Sequence, residues 1–233
     1  MLVNYLKSAY RHLKKYRFFT FINITGLAIG LAISVMLFLY IRYELSYDQF
    51  HKHYENMYRV VSHVERPGGK SMDIPQTLPQ IAPAMEREIP EVRDATRIFE
   101  RDVTLKKDEN LFADIQLMFV DTSFFNIFTF TAHKGNAIDA LKTPGEVLIT
   151  RSLAKRYYGQ ENPLNKELIS NGKKYTVGAV LDDLPDNAHF RFDVLTSFYS
   201  MGDAENFFNH HGWDFFTYFT VAPDASRENW ESK

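Results

Sequence analysis

The longest apolar run in the hydrophobic pattern lies near the N-terminus. Residues 18–41, FFTFINITGLAIGLAISVMLFLYI, are 24 positions without a charged side chain. A helix of that length rises ~36 Å, which is enough to cross the ~30 Å hydrocarbon core of a bilayer with some tilt. The pattern therefore predicts one transmembrane helix over 18–41.

The residues before this run have a different periodicity. Apolar side chains recur at helical spacing, and the basic side chains lie largely elsewhere on the helical wheel: Leu2, Leu6, Ala9, Leu13 and Tyr16 against Lys7, Arg11, Lys14 and Lys15. This arrangement predicts a basic amphipathic helix over 1–17 on the inner leaflet of the membrane. The alternative is a solvated basic flank that serves only to set topology.

The chain after the run decides between an anchor and a signal peptide. The apolar stretch is too long for a signal peptide, and no A-x-A-like cleavage site follows it. The sequence instead continues as RYELSYDQFHKHYENMYRV, which predicts a stalk helix over 42–54. We therefore interpret the run as an uncleaved anchor.

The remaining residues, 55–233, mix strand and helix patterns, which predicts an α+β (mixed α/β) domain. Asn171-Gly172 suits a two-residue hairpin turn, and Gly159 suits the end of a helix. Strands are predicted over 57–64, 95–100, 103–107, 114–120, 147–150, 167–170 and 173–181, helices over 78–89 and 151–158, a turn over 66–70, and a short aromatic helix or turn over 123–130.

Charge is distributed unevenly along the chain. Five of the 27 basic residues and none of the 29 acidic residues lie in 1–41, which leaves 22 basic against 29 acidic residues in the remainder. Basic residues flank the cytoplasmic side of membrane spans, so the N-terminus is predicted to be cytoplasmic and the chain after about residue 45 periplasmic. The acidic remainder argues against nucleic-acid binding. Cysteine is absent, which excludes disulfides and cysteine chemistry.

Small residues recur within the predicted span. Gly26, Gly30 and Ser34 follow one another at intervals of four, which places them on one helical face. Such a face lets two helices approach closely in lipid, so these residues are the predicted helix-packing face. Chance is the alternative, since glycine is common in membrane helices.

Three motifs that contain histidine or glycine resemble phosphate-binding, metal-binding or catalytic sequences, but they match those sites poorly. Gly69-Lys70-Ser71 lacks the earlier glycine of a phosphate-binding loop. On a helix, His51 and His53 would point to different faces, so we interpret them as solvated stalk residues rather than metal ligands. We interpret His210-His211 near Asp214 as part of an aromatic cluster. The sequence predicts no catalytic residue, cofactor site or metal site.

An acidic cluster remains as a weak candidate for cation binding. Asp182, Asp183 and Asp186 lie close together after the predicted strand over 173–181. A solvated turn is the simpler interpretation.

Several segments, taken in order, resemble one known family. The N-terminal segment NYLKSAYRHLKKYRFFTFINITGLAIGLAISVMLFLYIRYELSYDQFHKHYENMYRV is similar to the start of MacB/FtsX-type ABC transporter permeases, particularly the two-lobed forms common in Bacteroidetes. DTSFFNIFTF, EVLITRSLAKRYYG, NPLNKEL and YTVGAVLDDLPDNAHFRFD resemble the MacB-like periplasmic core domain of the same family. The resemblance covers nearly the whole chain.

The resemblance implies a non-enzymatic permease subunit of the inner membrane. Its partners would be a cytoplasmic ABC ATPase, membrane lipid and a second permease in a homo- or heterodimer. Such permeases carry three further spans after the core domain, so we expect the core domain over 55–233 to be incomplete and the chain to be a fragment. The alternatives are a single-span anchored periplasmic binding or sensor module without an ATPase, and a membrane-anchored periplasmic enzyme.

Overall fold

The computed structural model describes residues 2–66, 68–210, 212–225 and 230. The chain divides into two compact units, an N-terminal unit that ends at Tyr47 and a C-terminal unit that begins at Asp48. The start of the core domain at residue 55 stays a prediction.

The N-terminal unit consists of two helices, α1 (Leu2–Lys15) and α2 (Arg17–Glu44). Tyr16 separates them with a non-helical backbone (φ −111°, ψ 47°), and the Thr20 hydroxyl donates across the break to the Leu13 carbonyl at 3.1 Å. The helix predicted over 18–41 is present as α2, which is long and apolar enough to cross a membrane. A helix also forms in the first 17 residues, while its placement on lipid stays a prediction.

The predicted stalk helix over 42–54 is wrong beyond Glu44, where α2 ends. Turns follow, and Asp48 adopts a left-handed backbone with φ of 59°. The Ser46 hydroxyl donates to the Tyr43 carbonyl at 2.7 Å, and the Asp48 amide donates to the Asn187 carbonyl at 3.0 Å. Local turn bonds and one long-range bond therefore replace the helical ones, and the long-range bond could not be predicted from periodicity.

The C-terminal unit contains eleven strands and five α-helices in the described residues. They are β1 (Met57–Arg59), β2 (Ser62–Arg66), β3 (Lys70–Ile74), α3 (Ile81–Glu88), β4 (Val92–Lys107), β5 (Asn110–Val120), α4 (Phe124–Ile127), β6 (Ala132–Gly135), α5 (Ala137–Lys142), β7 (Glu146–Thr150), α6 (Arg151–Tyr158), β8 (Glu167–Ser170), β9 (Lys173–Leu181), β10 (Val194–Ser197), α7 (Ala204–His210) and β11 (Phe216–Val221). Short 3₁₀ helices span Tyr54–Asn56 and Phe198–Met201.

Nine strands form one sheet whose pairings close a ring, β4–β5–β10–β7–β9–β8 and back to β4. The ring closes because β4 is 16 residues long and pairs with two strands along one edge, β11 near its start and β8 near its end. A register shift between Val103 and Leu105 bends it between the two. The strands predicted over 95–100 and 103–107 are thus one strand.

Side chains that alternate along the strands of this sheet pack into two hydrophobic cores. Phe99 and Leu105 of β4 face one core, which α6 covers with Leu153 and Tyr157. Ile98 and other side chains that point to the opposite face of the sheet pack into the second core, under α4 and α5. Because both faces are buried, β10 is apolar or small at every position, and β7 is so at every position after Glu146. The mixed α and β architecture agrees with the predicted fold class.

One glycine lets the edge strand β6 approach β9. Gly135 has φ of +76°, and a Cβ atom built there would lie 2.4 Å from the Gly178 carbonyl oxygen. Any other residue would meet both the unfavourable backbone angle and this contact. Gly135 therefore fixes how closely β6 lies against the sheet.

A partly buried ion pair ties β4 to the segment after β5. The Arg97 Nη2 and Nε atoms donate to the two carboxylate oxygens of Asp121 at 2.6 and 2.9 Å, and Nη1 donates to the Pro79 carbonyl at 3.1 Å. The guanidinium carbon lies 4.1 Å from the centre of the Phe208 ring. The two side chains are only 13% and 23% exposed.

We expect Asp121→Ala to lower the free energy of unfolding by roughly 2 kcal/mol, because it leaves the Arg97 charge partly buried without its partner. The matched control is Glu167→Ala, which removes a carboxylate from the exposed Lys174–Glu167 pair. That change should cost at most about 0.5 kcal/mol. Urea titrations of both variants measure the difference, and equal effects would contradict the prediction.

Candidate functional site

The segment that joins α2 to the C-terminal unit is the best-defined polar site of the described residues. We call residues 48–53 the entry segment. It follows Glu44 of α2 after three residues and carries Asp48, His51 and His53. Two of these side chains are locked into the C-terminal unit.

Asp48 is held by the loop between β9 and β10. Its Oδ2 lies 2.7 Å from His189 Nδ1, and its Oδ1 accepts the His189 amide at 3.1 Å. The two side chains are 21% and 24% exposed. Burial alone would raise the pKa of the Asp48 carboxyl, but the hydrogen bonds and charge of His189 outweigh it and hold this pKa below its ordinary value. Asp48 is therefore an ionised anchor at neutral pH.

The chain of hydrogen bonds continues from His189 to β11. His189 Nε2 lies 2.6 Å from the Tyr218 hydroxyl. Burial raises the pKa of Tyr218 to about 12, so the phenol keeps its proton at neutral pH. An Asp–His–Tyr series of this kind can orient a side chain, and here it connects the entry segment to strand β11 of the sheet.

His51 is buried, which makes the interpretation of it as a solvated stalk residue wrong. Its side chain is 1% exposed, and its Nδ1 accepts the Thr129 amide at 3.0 Å. The proton of the neutral ring therefore lies on Nε2, which has no hydrogen-bond partner in the described residues. Burial lowers the pKa of His51 to about 4.

Aromatic rings enclose His51. The rings of Phe50, Phe128 and Phe130 lie with centroids 4.0, 5.1 and 5.4 Å from the imidazole. Phe128 and Phe130 end the stretch DTSFFNIFTF, whose short helix is α4. The aromatic pattern predicted this helix or turn, but its contact with His51, some 78 residues away in sequence, had no sequence signal.

The other candidate residues do not assemble a reactive site. Asp182 lies 3.6 Å from Arg151, and Asp183 accepts the Ser152 amide and hydroxyl at 2.8 Å each. Asp186 lies 3.7 Å from Arg191. These carboxylates have cationic or helix-capping partners, so their cluster is structural. No group of three potential ligands in the described residues could hold a metal ion.

The remaining motifs are placed as follows. Lys70 and Ser71 lie in strand β3, so Gly69 is followed by a strand and not by the helix N-terminus that a phosphate-binding loop requires. His211 lies outside the described residues, as does the side chain of His210. On α2, the Ser34 hydroxyl donates to the Gly30 carbonyl at 2.9 Å, and a Cβ atom at Gly26 or Gly30 would meet no atom within 4 Å.

A groove beside the entry segment has the geometry of a binding site. It has a volume of about 680 Å³, within the range of ligand-binding clefts. Lys52 and His53 line one part of it, and Phe125, Phe130 and Ile138 line another. The sequence did not predict this groove.

A family model described as the MacB-like periplasmic core domain matches residues 20–233. A comparison with curated protein sequences gives no significant match.

Three solved structures share the fold. A domain of a protein described as a permease, from Porphyromonas gingivalis, is 25% identical, with a TM-score of 0.69 over 79% of this chain and 80% of that chain. The periplasmic region of MacB from Actinobacillus actinomycetemcomitans is 16% identical, with a TM-score of 0.54 over 67% and 71% of the two chains. The extracellular domain of the noncanonic ABC-type transporter YknZ from Gram-positive bacteria is 13% identical, with a TM-score of 0.55 over 76% and 88%.

Proposed function

The chain belongs to the family of MacB-like periplasmic core domains, and we propose that it is a permease subunit in which the entry segment couples a cytoplasmic ATPase to work outside the membrane. The C-terminal unit is the extracytoplasmic domain of an ABC-type permease, and α2 is its membrane anchor. Beyond family membership, we propose that a cytoplasmic ATPase is coupled to the C-terminal unit and that the entry segment is the route of this coupling.

The observation that carries the proposal is the double attachment of the entry segment. Asp48 binds His189 through two hydrogen bonds, and His51 accepts the Thr129 amide. Both attachments lie within seven residues of the end of α2. A displacement of α2 would therefore be transmitted through the entry segment to the β9–β10 loop and to the segment after α4. Contiguous packed and hydrogen-bonded groups of this kind can carry coupling between distant sites.

The partners follow from the same proposal. A cytoplasmic ABC ATPase would supply the energy, and a second permease would complete a homo- or heterodimer. Gly26, Gly30 and Ser34 are the face of α2 that we propose for contact with another span. The basic helix α1 would lie on anionic lipid of the inner leaflet, with the N-terminus cytoplasmic.

The groove beside the entry segment favours a second candidate, an anchored binding or sensor module that works without an ATPase. Ligand in the groove would then act on the entry segment directly. The two candidates differ in the source of the motion, which is ATP in the first and the ligand in the second.

The decisive experiment begins with affinity purification of the natural protein from the membranes of its source. We expect an ABC ATPase to co-purify, and ATP with vanadate to change amide deuterium uptake in 187–190. Asp48→Ala should abolish that change and leave basal ATP hydrolysis intact. The control Asp186→Ala removes an exposed carboxylate from the same loop and should leave the response unchanged.

Two results would contradict the coupling proposal. Absence of any ATPase from the purified complex would favour the anchored module. A full deuterium response in Asp48→Ala would show that motion reaches the C-terminal unit by another route.

A further inference from the structure

The groove beside the entry segment is bounded by an edge strand of the sheet. Ala132 and Gly135 of β6 line it, and all four residues of β6 are exposed. Within the described residues β6 pairs only with β9, so its other edge carries backbone groups without a strand partner. An exposed edge of this kind is a template for an added strand.

The walls of the groove are apolar next to that edge. Phe125 and Phe130 are half-buried, and Ile138 of α5 is 51% exposed. An exposed isoleucine beside two phenylalanine rings would gain from being covered by another apolar side chain, at roughly 25 cal/mol per Å² of apolar surface removed from water. The groove therefore suits an apolar side chain carried by a strand on β6.

The charge of the groove is positive. Lys52 and His53 line it with exposed side chains, and no carboxylate is among its lining residues. Two carboxylates bond to lining residues of the groove, since Asp94 accepts from the side-chain amide of Asn126 and Asp139 accepts from the side-chain amide of Asn136, at 2.6 Å each. An anionic group is favoured here, and charge-assisted hydrogen bonds to lysine are among the stronger ones.

We propose that this groove binds the C-terminal end of an extended peptide chain. The peptide backbone adds a strand to β6, its last apolar side chain lies among Phe125, Phe130 and Ile138, and its terminal carboxylate meets Lys52 and His53. A fatty acid would satisfy the wall and the charge, but it has no backbone for the open edge of β6. The binding does not depend on coupling to an ATPase.

A ligand bound in the groove would contact the entry segment. The Lys52 amide donates to the Thr129 hydroxyl at 3.1 Å, and Thr129 lies between the two phenylalanine residues that contact His51. Lys52 itself belongs to the entry segment. A bound peptide end therefore touches the entry segment next to its anchor His51.

The test uses the full chain in lipid nanodiscs and fluorescence anisotropy. The probe is an N-terminally labelled octapeptide of alternating threonine and valine that ends in phenylalanine with a free carboxylate. We expect saturable binding, about tenfold weaker for the same peptide with a C-terminal amide, because the amide lacks the charge. Methylating alternate peptide nitrogens should abolish binding in one register and not in the other, as strand pairing requires.

Three variants separate the contributions. Lys52→Gln should weaken the acid peptide about tenfold without affecting the amide. Ile138→Asp should weaken both peptides, because it removes the apolar wall and adds a negative charge. The control Lys174→Gln removes an exposed lysine from β9, outside the groove, and should change neither affinity. Thermal unfolding of all three should match that of the parent, since each side chain is exposed.

The following outcomes would overturn the proposal. Equal binding of the acid and amide peptides would show that the terminal carboxylate does not contribute to binding. Unchanged affinity in Ile138→Asp would place the peptide elsewhere. Saturable binding of dodecanoate with none of any peptide would make the groove a site for amphiphiles.

Discussion

Phe128→Ala is expected to lower the free energy of unfolding of the C-terminal unit by about 3–5 kcal/mol. The side chain is fully buried, and its ring lies 4.8 Å from Phe124, 5.0 Å from Phe190 and 5.2 Å from Tyr218. It also forms one wall around His51. The substitution removes the ring and leaves a cavity at the point where α4, β11 and the entry segment meet.

Phe125→Ala is the matched control, because it removes the same group three positions earlier. Phe125 is half-buried, and its ring contacts that of Phe124 at 5.4 Å. Its loss should cost roughly 1 kcal/mol. Urea unfolding followed by tryptophan fluorescence measures both changes, since the two tryptophans, Trp213 and Trp230, belong to the C-terminal unit. Equal losses from the two substitutions would refute the prediction.

The same substitution should act on the entry segment before it unfolds the unit. Without the Phe128 ring, His51 loses one of the aromatic contacts that exclude water from it. We expect faster deuterium exchange of amides in 48–53 in Phe128→Ala and not in Phe125→Ala. The packing that stabilises the unit is thus also the packing that fixes its link to α2.

Local signals in the sequence predicted the elements that depend on neighbouring residues. Gly159 ends α6 with a left-handed backbone of φ 66°, and Asn171-Gly172 turns between β8 and β9 with φ of 48° and 79°. These angles are intrinsic preferences of glycine and asparagine. The predicted bounds of α6, β8 and β9 therefore agree with the structure.

Contacts between distant segments had no such signal. Asp48 and His189 are 141 residues apart, and either alone reads as an exposed polar residue. The parallel pairing of β10 with β5 and the antiparallel pairing of β11 with β4 are likewise set by the sheet as a whole. The exposed strand β6 has no alternating pattern, because neither face of it is buried.

Burial of His51 predicts a loss of stability in mild acid. The pKa of the buried ring is about 4, whereas an unfolded histidine has a pKa near 6.5. Between these values the unfolded chain binds a proton that the folded chain does not. Stability is therefore complete above about pH 6.5 and falls as the pH drops toward 4, by up to about 1.4 kcal/mol per pH unit and on the order of 3 kcal/mol in all.

The surroundings of His51 favour a lowered pKa of its ring. Asp48 draws the proton toward the ring, but burial and the charge of His189 oppose it, and the Thr129 amide occupies Nδ1. The Asp48 carboxyl contributes in a different window, since its lowered pKa keeps its stabilising effect present above about pH 4 and lets it decline only at lower pH.

The measurement compares urea unfolding of the parent with that of His51→Gln from pH 7 to pH 4.5. Glutamine can accept the Thr129 amide but does not titrate, so the variant should lack the extra slope, and every other titrating group cancels in the difference. His63→Gln changes an exposed histidine of β2 and should keep the full slope. Parallel curves for the parent and His51→Gln would mean that His51 takes up its proton in the folded state. A steeper loss in the parent would instead show that protonation of His51 destabilises the C-terminal unit.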